Sequence, residues 1–156
     1  MPIFQKTLSK ITQELPALKL KAGTNFSWNG SHQTITYKVP KNPKQDLVYT
    51  NKLLHELAHA KLNHSEYQSD IELIKMESAA WQLTEQLCKK YEVKFSKQEQ
   101  KSALQSYINW ASSRSSCPNC TKNGLQISKL EFSCPNCFHN WKVGTSRFKR
   151  TYRQTP

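Results

Sequence analysis

The sequence lacks any long run of apolar residues. No stretch approaches the ~20 consecutive apolar residues of a membrane-spanning helix, so we expect no helical membrane anchor. The opening residues, MPIFQKTLSK, also lack the apolar run and the small-residue cleavage site of a secretion signal. We therefore expect a cytoplasmic protein that has no part in a membrane. In that compartment cysteines stay reduced and serve metals or chemistry rather than disulfides.

Acidic residues are scarce, above all near the C-terminus. The chain has 156 residues and carries 23 Lys and Arg against 11 Asp and Glu, for a net charge of +12. Residues 113–156 hold eight of the basic residues and a single acid, Glu131, for a net charge of +7. This asymmetry favours an acidic partner, and nucleic acid is the commonest one inside a cell. The alternative is that the charge serves solubility alone.

The spacing of apolar residues predicts an α+β fold. A helix is expected from the N-terminus to about Leu15, followed by a β-hairpin around Asn29-Gly30. Asp46 or Thr50 is predicted to cap a second helix that runs to about Asn63. Two further helices are predicted over residues 71–92 and 97–112, and the serine-rich segment 111–116 is predicted to be a linker. A length of 156 residues gives room for one compact domain, or for a small domain plus a module held together by a metal. Hydrophobic residues make up only 37% of the chain, so the core should be modest.

The second predicted helix contains the sequence HELAH at residues 55–59. Residues four apart lie on one helix face, so His55 and His59 can bind one metal, while Glu56 can contact a water molecule on that metal. This is the arrangement of a catalytic zinc site, which needs three protein ligands and one open position. The alternative is a surface helix that carries the motif by chance, expected in roughly one such chain per hundred.

Two residues are candidates for the third ligand. His64 lies five residues beyond His59 and faces roughly 140° away on a continuing helix, so it could serve only if the helix ends first. Glu77 lies within an apolar stripe of the next helix, and a carboxylate there is costly to bury unless it meets a cation. The alternative for Glu77 is a place at the edge of the stripe, in contact with solvent. The other members of the stripe are Ile74, Ala80, Trp81, Thr84 and Cys88.

These residues resemble the ImmA/IrrE family of small metallopeptidases. The pattern of that family is an HExxH helix followed by a helix with a glutamate ligand, and here seventeen residues separate His59 from Glu77. The resemblance covers about residues 1–110, including the preceding helix and hairpin. It implies a zincin-like fold, a zinc ion held by His55, His59 and Glu77, and Glu56 as the general base. It also implies limited proteolysis of a protein partner, often a DNA-binding repressor.

One departure from the family is the cysteine-rich C-terminal region. A zinc ribbon behind an HExxH domain is more similar to SprT-type proteases, which act on DNA-bound proteins. Those proteases take a third histidine well downstream, and no histidine occurs between His64 and His139. The glutamate-ligand family is therefore the better match, and the substrate stays open. The residue that assists the oxyanion also stays open, with Tyr37, His64 and Tyr67 as candidates.

The C-terminal region contains two CPNC units, separated by thirteen residues. Each CxxC unit presents two thiolates, and two such units close a four-thiolate structural zinc site, here made by Cys117, Cys120, Cys134 and Cys137. The segment LQISKLEFS between them alternates as a strand does, which predicts a zinc ribbon. Such a short module cannot build a core, so the metal supplies its folding energy. The fifth cysteine, Cys88, is predicted to be a small buried side chain.

The last residues interleave basic and aromatic side chains. This combination is typical of nucleic-acid binding, in which basic groups contact phosphates and aromatic rings contact bases. The alternative is a solvated, disordered basic end. The residues predicted to contact nucleic acid are Lys142, Arg147, Lys149, Arg150 and Arg153.

Together these patterns predict a zincin-like metallopeptidase domain over residues 1–112, a four-cysteine zinc ribbon over 113–143 and a basic tail over 144–156. The predicted function is limited proteolysis of an intracellular protein, such as a DNA-binding regulator, with one catalytic and one structural zinc. The ribbon and tail are predicted to recruit the enzyme to nucleic acid or to a protein bound to nucleic acid. The alternative is a nucleic-acid-binding or adaptor protein that keeps the zincin domain as a scaffold. Glu56 favours the enzyme, because a structural site has no use for a base beside the metal.

Overall fold

The chain has an α+β fold, as its sequence predicts. The computed structural model describes residues 1–147 and 153–154, and within them four helices and two small sheets are formed. None of the helices in these ranges combines the length and apolar character needed to cross a membrane. In chain order the elements are α1 (Ile3–Glu14), β1 (Lys19–Ala22), β2 (Ser27–Asn29), β3 (Thr34–Tyr37), α2 (Pro43–Lys61), α3 (Asp70–Lys90), α4 (Lys97–Ser115), β4 (Leu125–Ser128), β5 (Glu131–Ser133), β6 (Asn140–Val143) and β7 (Arg153–Gln154).

The chain divides into two compact units. Unit 1 comprises residues 1–66 and 76–101, and unit 2 comprises residues 67–75 and 102–156. Helices α3 and α4 each contribute residues to both units.

Helix α1 is capped from a distant part of unit 1. It buries Phe4 and Ile11, as its periodicity predicts, but Pro2 before it provides no side-chain cap. Instead, the carboxylate of Asp46 accepts hydrogen bonds from the backbone N–H groups of Ile3 and Phe4, at 2.8 and 3.0 Å. The prediction that Asp46 or Thr50 caps helix α2 is therefore wrong, because Asp46 lies inside α2 and caps its neighbour.

Helix α2 begins at a capping box. Asn42 is its N-cap residue and accepts a hydrogen bond from the backbone N–H of Gln45 at 3.2 Å. The Gln45 side chain in turn accepts from the backbone N–H of Lys41 at 2.7 Å. Pro43 occupies the first helical position, where its missing N–H group costs nothing. These four residues start the helix well before the predicted caps.

A three-stranded sheet lies in unit 1, in the order β1-β3-β2. Strands β2 and β3 form the antiparallel hairpin that the sequence predicts around Asn29-Gly30. Strand β1 pairs with β3 in parallel and was not predicted. Ile35 of β3 is fully buried in the core of this unit, together with Leu53, Leu54 and Leu57 of α2.

A buried amide ties helix α2 to the segment between helices α3 and α4. Asn51 is fully buried, and its side-chain amide donates to the backbone carbonyls of Leu47 and Lys94 at 3.1 and 3.0 Å. Its oxygen accepts from the backbone N–H of Ser96 at 2.9 Å. Because Asn51 lies one helical turn before His55, this network fixes the helix segment that carries HELAH.

Unit 2 contains a four-stranded antiparallel sheet, in the order β4-β5-β6-β7. Phe132 and Trp141 stack with ring centroids 5.6 Å apart, and both are buried with Cys117 and Cys134. Gly124 is required by this packing, because a Cβ atom there would lie 2.1 Å from the Trp141 ring. The core of this part of unit 2 is thus one aromatic pair, Val143 and the cysteines themselves.

Two local predictions in this region are wrong. The segment 111–116 was predicted to be a linker, but helix α4 continues through it to Ser115. The single strand predicted over LQISKLEFS is a hairpin, because a turn after Ser128 separates β4 from β5. Serine-rich composition is a weak guide to a linker when a buried side chain, here Arg114, holds the segment in place.

Candidate metal centres

Helices α2 and α3 bring His55, His59 and Glu77 together in unit 1. All three side chains are buried, with 7%, 8% and 6% of their surfaces exposed. His55 Nε2 lies 3.0 Å from Glu77 Oε2, and His59 Nε2 lies 3.3 Å from Glu77 Oε1. The two Nε2 atoms are 3.1 Å apart. In the part of the chain that the structure describes, this is one of two groups whose atoms are placed to hold a metal ion.

The three donor atoms fit a small tetrahedral cation. Ligand atoms bound about 2.05 Å from such an ion lie about 3.3 Å from one another. The two Nε2 atoms are 3.1 Å apart, and they lie 3.0 and 3.3 Å from the two different oxygens of the Glu77 carboxylate. If neither a proton nor a metal ion lay between these atoms, their lone pairs would point at one another and repel. Imidazole nitrogen and carboxylate oxygen are ligand types that zinc accepts, so the donor set suits that ion.

The buried negative charge of Glu77 needs a cation to balance it. Burial opposes the charge of Glu77, but hydrogen bonds with His55 and His59 outweigh it and hold the pKa of Glu77 well below its usual range. Burial lowers the pKa of His55. Burial also opposes protonation of His59, but its hydrogen bond to Glu77 prevails and raises the pKa of His59. The fixed negative charge of Glu77 is therefore balanced by a proton on His59 or by a metal in its place.

The surroundings of Glu77 answer the question that its sequence position left open. The alternative that it lies at the edge of an apolar stripe, in contact with solvent, is wrong, since only 6% of it is exposed. Ala80, Trp81 and Thr84 of the same stripe are buried beside it. The Trp81 ring stacks on the His55 imidazole, with centroids 4.3 Å apart and planes 23° from parallel. This stacking restricts the orientation of His55.

His64 reaches the site by a sharp reversal of the chain. Helix α2 ends at Lys61, and Asn63 takes a left-handed conformation with a φ of 51°. The backbone N–H of His64 then bonds to the carbonyl of His59 at 3.1 Å, and the Trp28 indole N–H donates to the His64 carbonyl at 2.9 Å. The condition under which His64 approaches the site, an early end of the helix, is therefore met.

His64 contacts His59 on the side away from Glu77. The two Nδ1 atoms are 2.8 Å apart. When Nε2 of His59 is a metal ligand, its proton resides on Nδ1 and is donated to Nδ1 of His64. Burial lowers the pKa of His64 and favours its neutral form. Its unprotonated Nδ1 can then accept the hydrogen bond from the Nδ1–H group of His59. A hydrogen bond of this kind fixes the tautomer and ring orientation of a ligating histidine, and His64 does so without being a ligand itself.

The Glu56 carboxyl group lies beside the cluster but outside the set of three donors. It is partly accessible to solvent. Burial raises the pKa of Glu56 to about 7, against the opposing charge of His59 and a hydrogen bond from the backbone N–H of Trp28. A carboxylate with a pKa near neutrality is suited to take up and release a proton under cellular conditions.

The other two candidates for oxyanion assistance make ring contacts of their own, and their role stays a prediction. Tyr37 packs against Phe4, with ring centroids 5.7 Å apart. Tyr67 belongs to unit 2, where the Lys129 ammonium lies 4.3 Å above its ring.

The second group that could hold a metal is the predicted set of four cysteines in unit 2. The Sγ atoms of Cys117 and Cys137 are 3.7 Å apart, and those of Cys120 and Cys134 are 3.5 Å apart. Thiolates bound to zinc at about 2.3 Å are separated by about 3.8 Å, so this donor set also fits. All five cysteines of the chain are free thiols, and Cys88 is buried in unit 1, as predicted.

The asparagines of the two CPNC units donate across the cluster. The Asn119 amide donates to Sγ of Cys137, and the Asn136 amide donates to Sγ of Cys120, both at 3.5 Å. The Asn119 bond is the main cause that lowers the pKa of Cys137. A backbone N–H from Lys122, aided by Asn136, lowers the pKa of Cys120 to about 6. Both effects favour the thiolate form that binds metal.

A buried ion pair in unit 2 was not foreseen. Arg114 is 2% exposed, and its Nε lies 3.0 Å from a carboxylate oxygen of Asp70. It also donates to the Lys129 carbonyl at 3.0 Å and to the Gly144 carbonyl. The guanidinium packs over the Trp110 ring, 4.3 Å from its centroid. The only sequence signal was an arginine within a serine-rich segment, which is also the signature of an exposed loop.

The basic residues predicted to contact nucleic acid are partly engaged within unit 2. Lys142 lies 3.5 Å from Glu131, and the Arg147 guanidinium lies 3.6 Å above the Tyr107 ring. Arg153 donates to the Ser116 carbonyl at 2.9 Å, and it belongs to strand β7, which pairs with β6. These contacts use part of each side chain and leave its charge in place. Lys149 and Arg150 lie outside the described residues.

Comparisons with known proteins identify no relative. No protein-family model matches the chain, and neither the curated proteins nor the solved structures contain a significant match. The function is therefore inferred from the two sites.

Proposed function

We propose that the chain is a zinc-dependent metallopeptidase with a zincin-like fold, recruited to nucleic acid by its zinc ribbon. The observation that carries the proposal is the arrangement of His55, His59 and Glu77 with a fourth ionisable group, Glu56, left outside the donor set. A structural site uses all of its donors on the metal. A site that holds a base in reserve beside three ligands is suited to catalysis.

The residues of the first site divide into three roles. His55, His59 and Glu77 would hold zinc, which when bound supplies Lewis-acid polarisation of the peptide carbonyl and an acidified water. Glu56 takes the proton from the attacking water onto its carboxylate and delivers it to the leaving amine. His64 orients the His59 ring through their 2.8 Å contact.

The four cysteines would hold a second, structural zinc. Their set is complete without water or substrate, and the small aromatic core of the ribbon includes two of them. The basic charge of residues 113–156 makes nucleic acid, or a protein bound to it, the partner that this region favours. The substrate class that follows is an intracellular protein associated with nucleic acid, such as a DNA-binding regulator.

The test of the enzyme is Glu56→Gln, which removes the base and leaves the ligands. Zinc-loaded wild type should cleave members of a quenched-fluorescence peptide library, and the variant should lose about 100-fold or more of that rate. Zinc content per chain should stay the same in both proteins. Glu85→Gln is the matched control, because Glu85 on α3 forms an ion pair with exposed Lys89 and is not one of the three donors, and it should cleave as wild type does.

Two outcomes would contradict the proposal. Equal cleavage by wild type and Glu56→Gln would place the chemistry elsewhere. A zinc-loaded wild type that cleaves nothing but binds nucleic acid would identify the chain as an adaptor that keeps the first site for structure.

A further inference from the structure

The two CPNC units of the ribbon impose the same backbone conformation on the residue that follows each of them. Thr121 has a φ of 64°, and Phe138 has a φ of 60°. The backbone N–H of Thr121 bonds to the Cys117 carbonyl, and that of Phe138 to the Cys134 carbonyl, both at 2.9 Å. The left-handed conformation is therefore a property of the cysteine turn, and it is set by these two hydrogen bonds.

Glycine fits such a position with least strain, whereas β-branched and bulky residues rarely occupy it. Phe138 gains no burial in return, since 81% of its surface is exposed. The core of the ribbon is formed without it, by Phe132, Trp141, Val143 and the cysteines. The ring is thus an exposed aromatic group on a strained residue of a turn that closes the metal site. Its contribution to the stability of the ribbon is small or negative.

The positive charge of residues 113–156 favours a negatively charged molecule as the partner of the Phe138 ring. Lys122 follows Thr121 and is exposed. In residues 113–156 the basic residues number eight, against one acid. A polyanion complements this charge. An exposed aromatic ring in a strongly basic segment suits the binding of unpaired bases, because each base has a face for stacking and each phosphate a negative charge. In a duplex those faces are already occupied by neighbouring bases.

We propose that Phe138 is the aromatic contact through which the ribbon holds an unpaired base of a single-stranded nucleic acid, with Lys122 near its phosphates. This inference rests on the proposed recruitment to nucleic acid and is independent of the peptidase activity. It also explains why one of two equivalent strained positions carries a large exposed aromatic side chain.

The test compares two oligonucleotides that differ only in their bases. One is an oligo(dT) of about 15 nucleotides, and the other is an abasic oligomer of the same length and charge. Their affinities for the zinc-loaded full chain are measured by fluorescence anisotropy. Wild type should bind oligo(dT) about ten-fold or more tightly than the abasic oligomer, as loss of one stacked base predicts.

Phe138→Gly should bind both oligomers with the affinity that wild type shows for the abasic one. Thr121→Gly is the matched control, because it makes the same backbone change at the equivalent turn, and it should keep the preference for oligo(dT). Phe138→Tyr should keep it as well. Both glycine variants should retain wild-type zinc content and a thermal midpoint no lower than that of wild type.

Three results would overturn the inference. Phe138→Gly with an unchanged preference for oligo(dT) would show that the ring does not stack on bases and would point to a protein partner for it. A lower thermal midpoint for this variant than for Thr121→Gly would show that the ring stabilises the ribbon. Wild type with no affinity for either oligomer would contradict the proposed recruitment itself, while cleavage by the first site would remain testable through Glu56→Gln.

Discussion

The two candidate metal centres differ in what surrounds their ligands. His55, His59 and Glu77 lie on helices whose own core includes Leu53 and Leu57, so the donors are held by a fold that exists around them. The four cysteines lie in two turns, and two of them form part of the small core of the ribbon. We therefore expect the first centre to be a site within a stable fold, and the second to be a site on which the fold around it depends. Loss of metal should therefore have opposite consequences in the two units.

The largest effect is expected from Cys117→Ser. Structural zinc in a small module supplies on the order of 10 kcal/mol, so loss of one thiolate should remove one zinc ion and unfold the ribbon. Elemental analysis should fall from about two zinc ions per chain to about one, and the NMR signals of Phe132 and Trp141 should lose their dispersion. Cys88→Ser, outside the cluster, should keep both ions. If the variant loses this zinc ion and the region around the cysteines stays folded, the expected difference between the two centres is wrong.

Glu77→Ala should remove the other zinc and leave the fold in place. Two imidazoles alone hold zinc weakly, so the ion should be lost. The change also removes a buried negative charge that would otherwise be left without its cation, so unit 1 should retain its core. Zinc content should again fall to about one per chain, while helical circular dichroism stays at the wild-type value. With Co²⁺ in place of zinc, the thiolate charge-transfer bands of the ribbon should persist. Unfolding of unit 1 would show that this centre, too, is structural.

His64→Ala should weaken metal binding at the first site by about 10- to 100-fold, the usual effect of removing a hydrogen-bond partner of a ligating histidine. Competition with a chromophoric chelator measures this affinity, and the affinity of the four-cysteine site should not change. His64→Asn should restore part of the loss, because its amide oxygen can accept from Nδ1 of His59. His32→Ala, at an exposed turn, is the control. Equal affinities for wild type and His64→Ala would rule out the positioning role.

The smallest effect is expected from Cys88, the cysteine that belongs to neither centre. Burial raises the pKa of Cys88 to about 11, so its reactive thiolate is scarce at pH 8, where an exposed cysteine is partly ionised. Iodoacetamide should leave it unmodified in the zinc-loaded protein, and a chelator should expose only the four ribbon thiols. Cys88→Ala should cost about 1 kcal/mol of stability. Rapid modification of Cys88 in the native chain would contradict its burial.

The ligands could be predicted from the sequence because their spacing is chemical and local. HELAH places two histidines one turn apart on any helix, and two CPNC units imply a thiolate cluster whatever the strand pattern between them. Glu77 could be proposed because a carboxylate in an apolar stripe needs a cation. In each case the pattern of residue types alone restricts the structure.

The parts that could not be predicted depend on contacts between distant residues. Arg114 and Asp70 form a buried pair across 44 positions of the chain. The sequence around each residue does not predict its partner. Strand β1 pairs in parallel with β3 and has no turn to mark it. The approach of His64 to His59 depended on a left-handed Asn63, which asparagine permits but does not require.

The capping of helix α1 by Asp46 has a consequence for how the chain acquires its structure. A helix of 12 residues is marginal by itself in water, and the carboxylate that satisfies its first N–H groups lies more than 40 positions later. We therefore expect α1 to become stable only after the start of α2 has been synthesised. The helix that carries HELAH would then also be the one that stabilises the first helix of the chain.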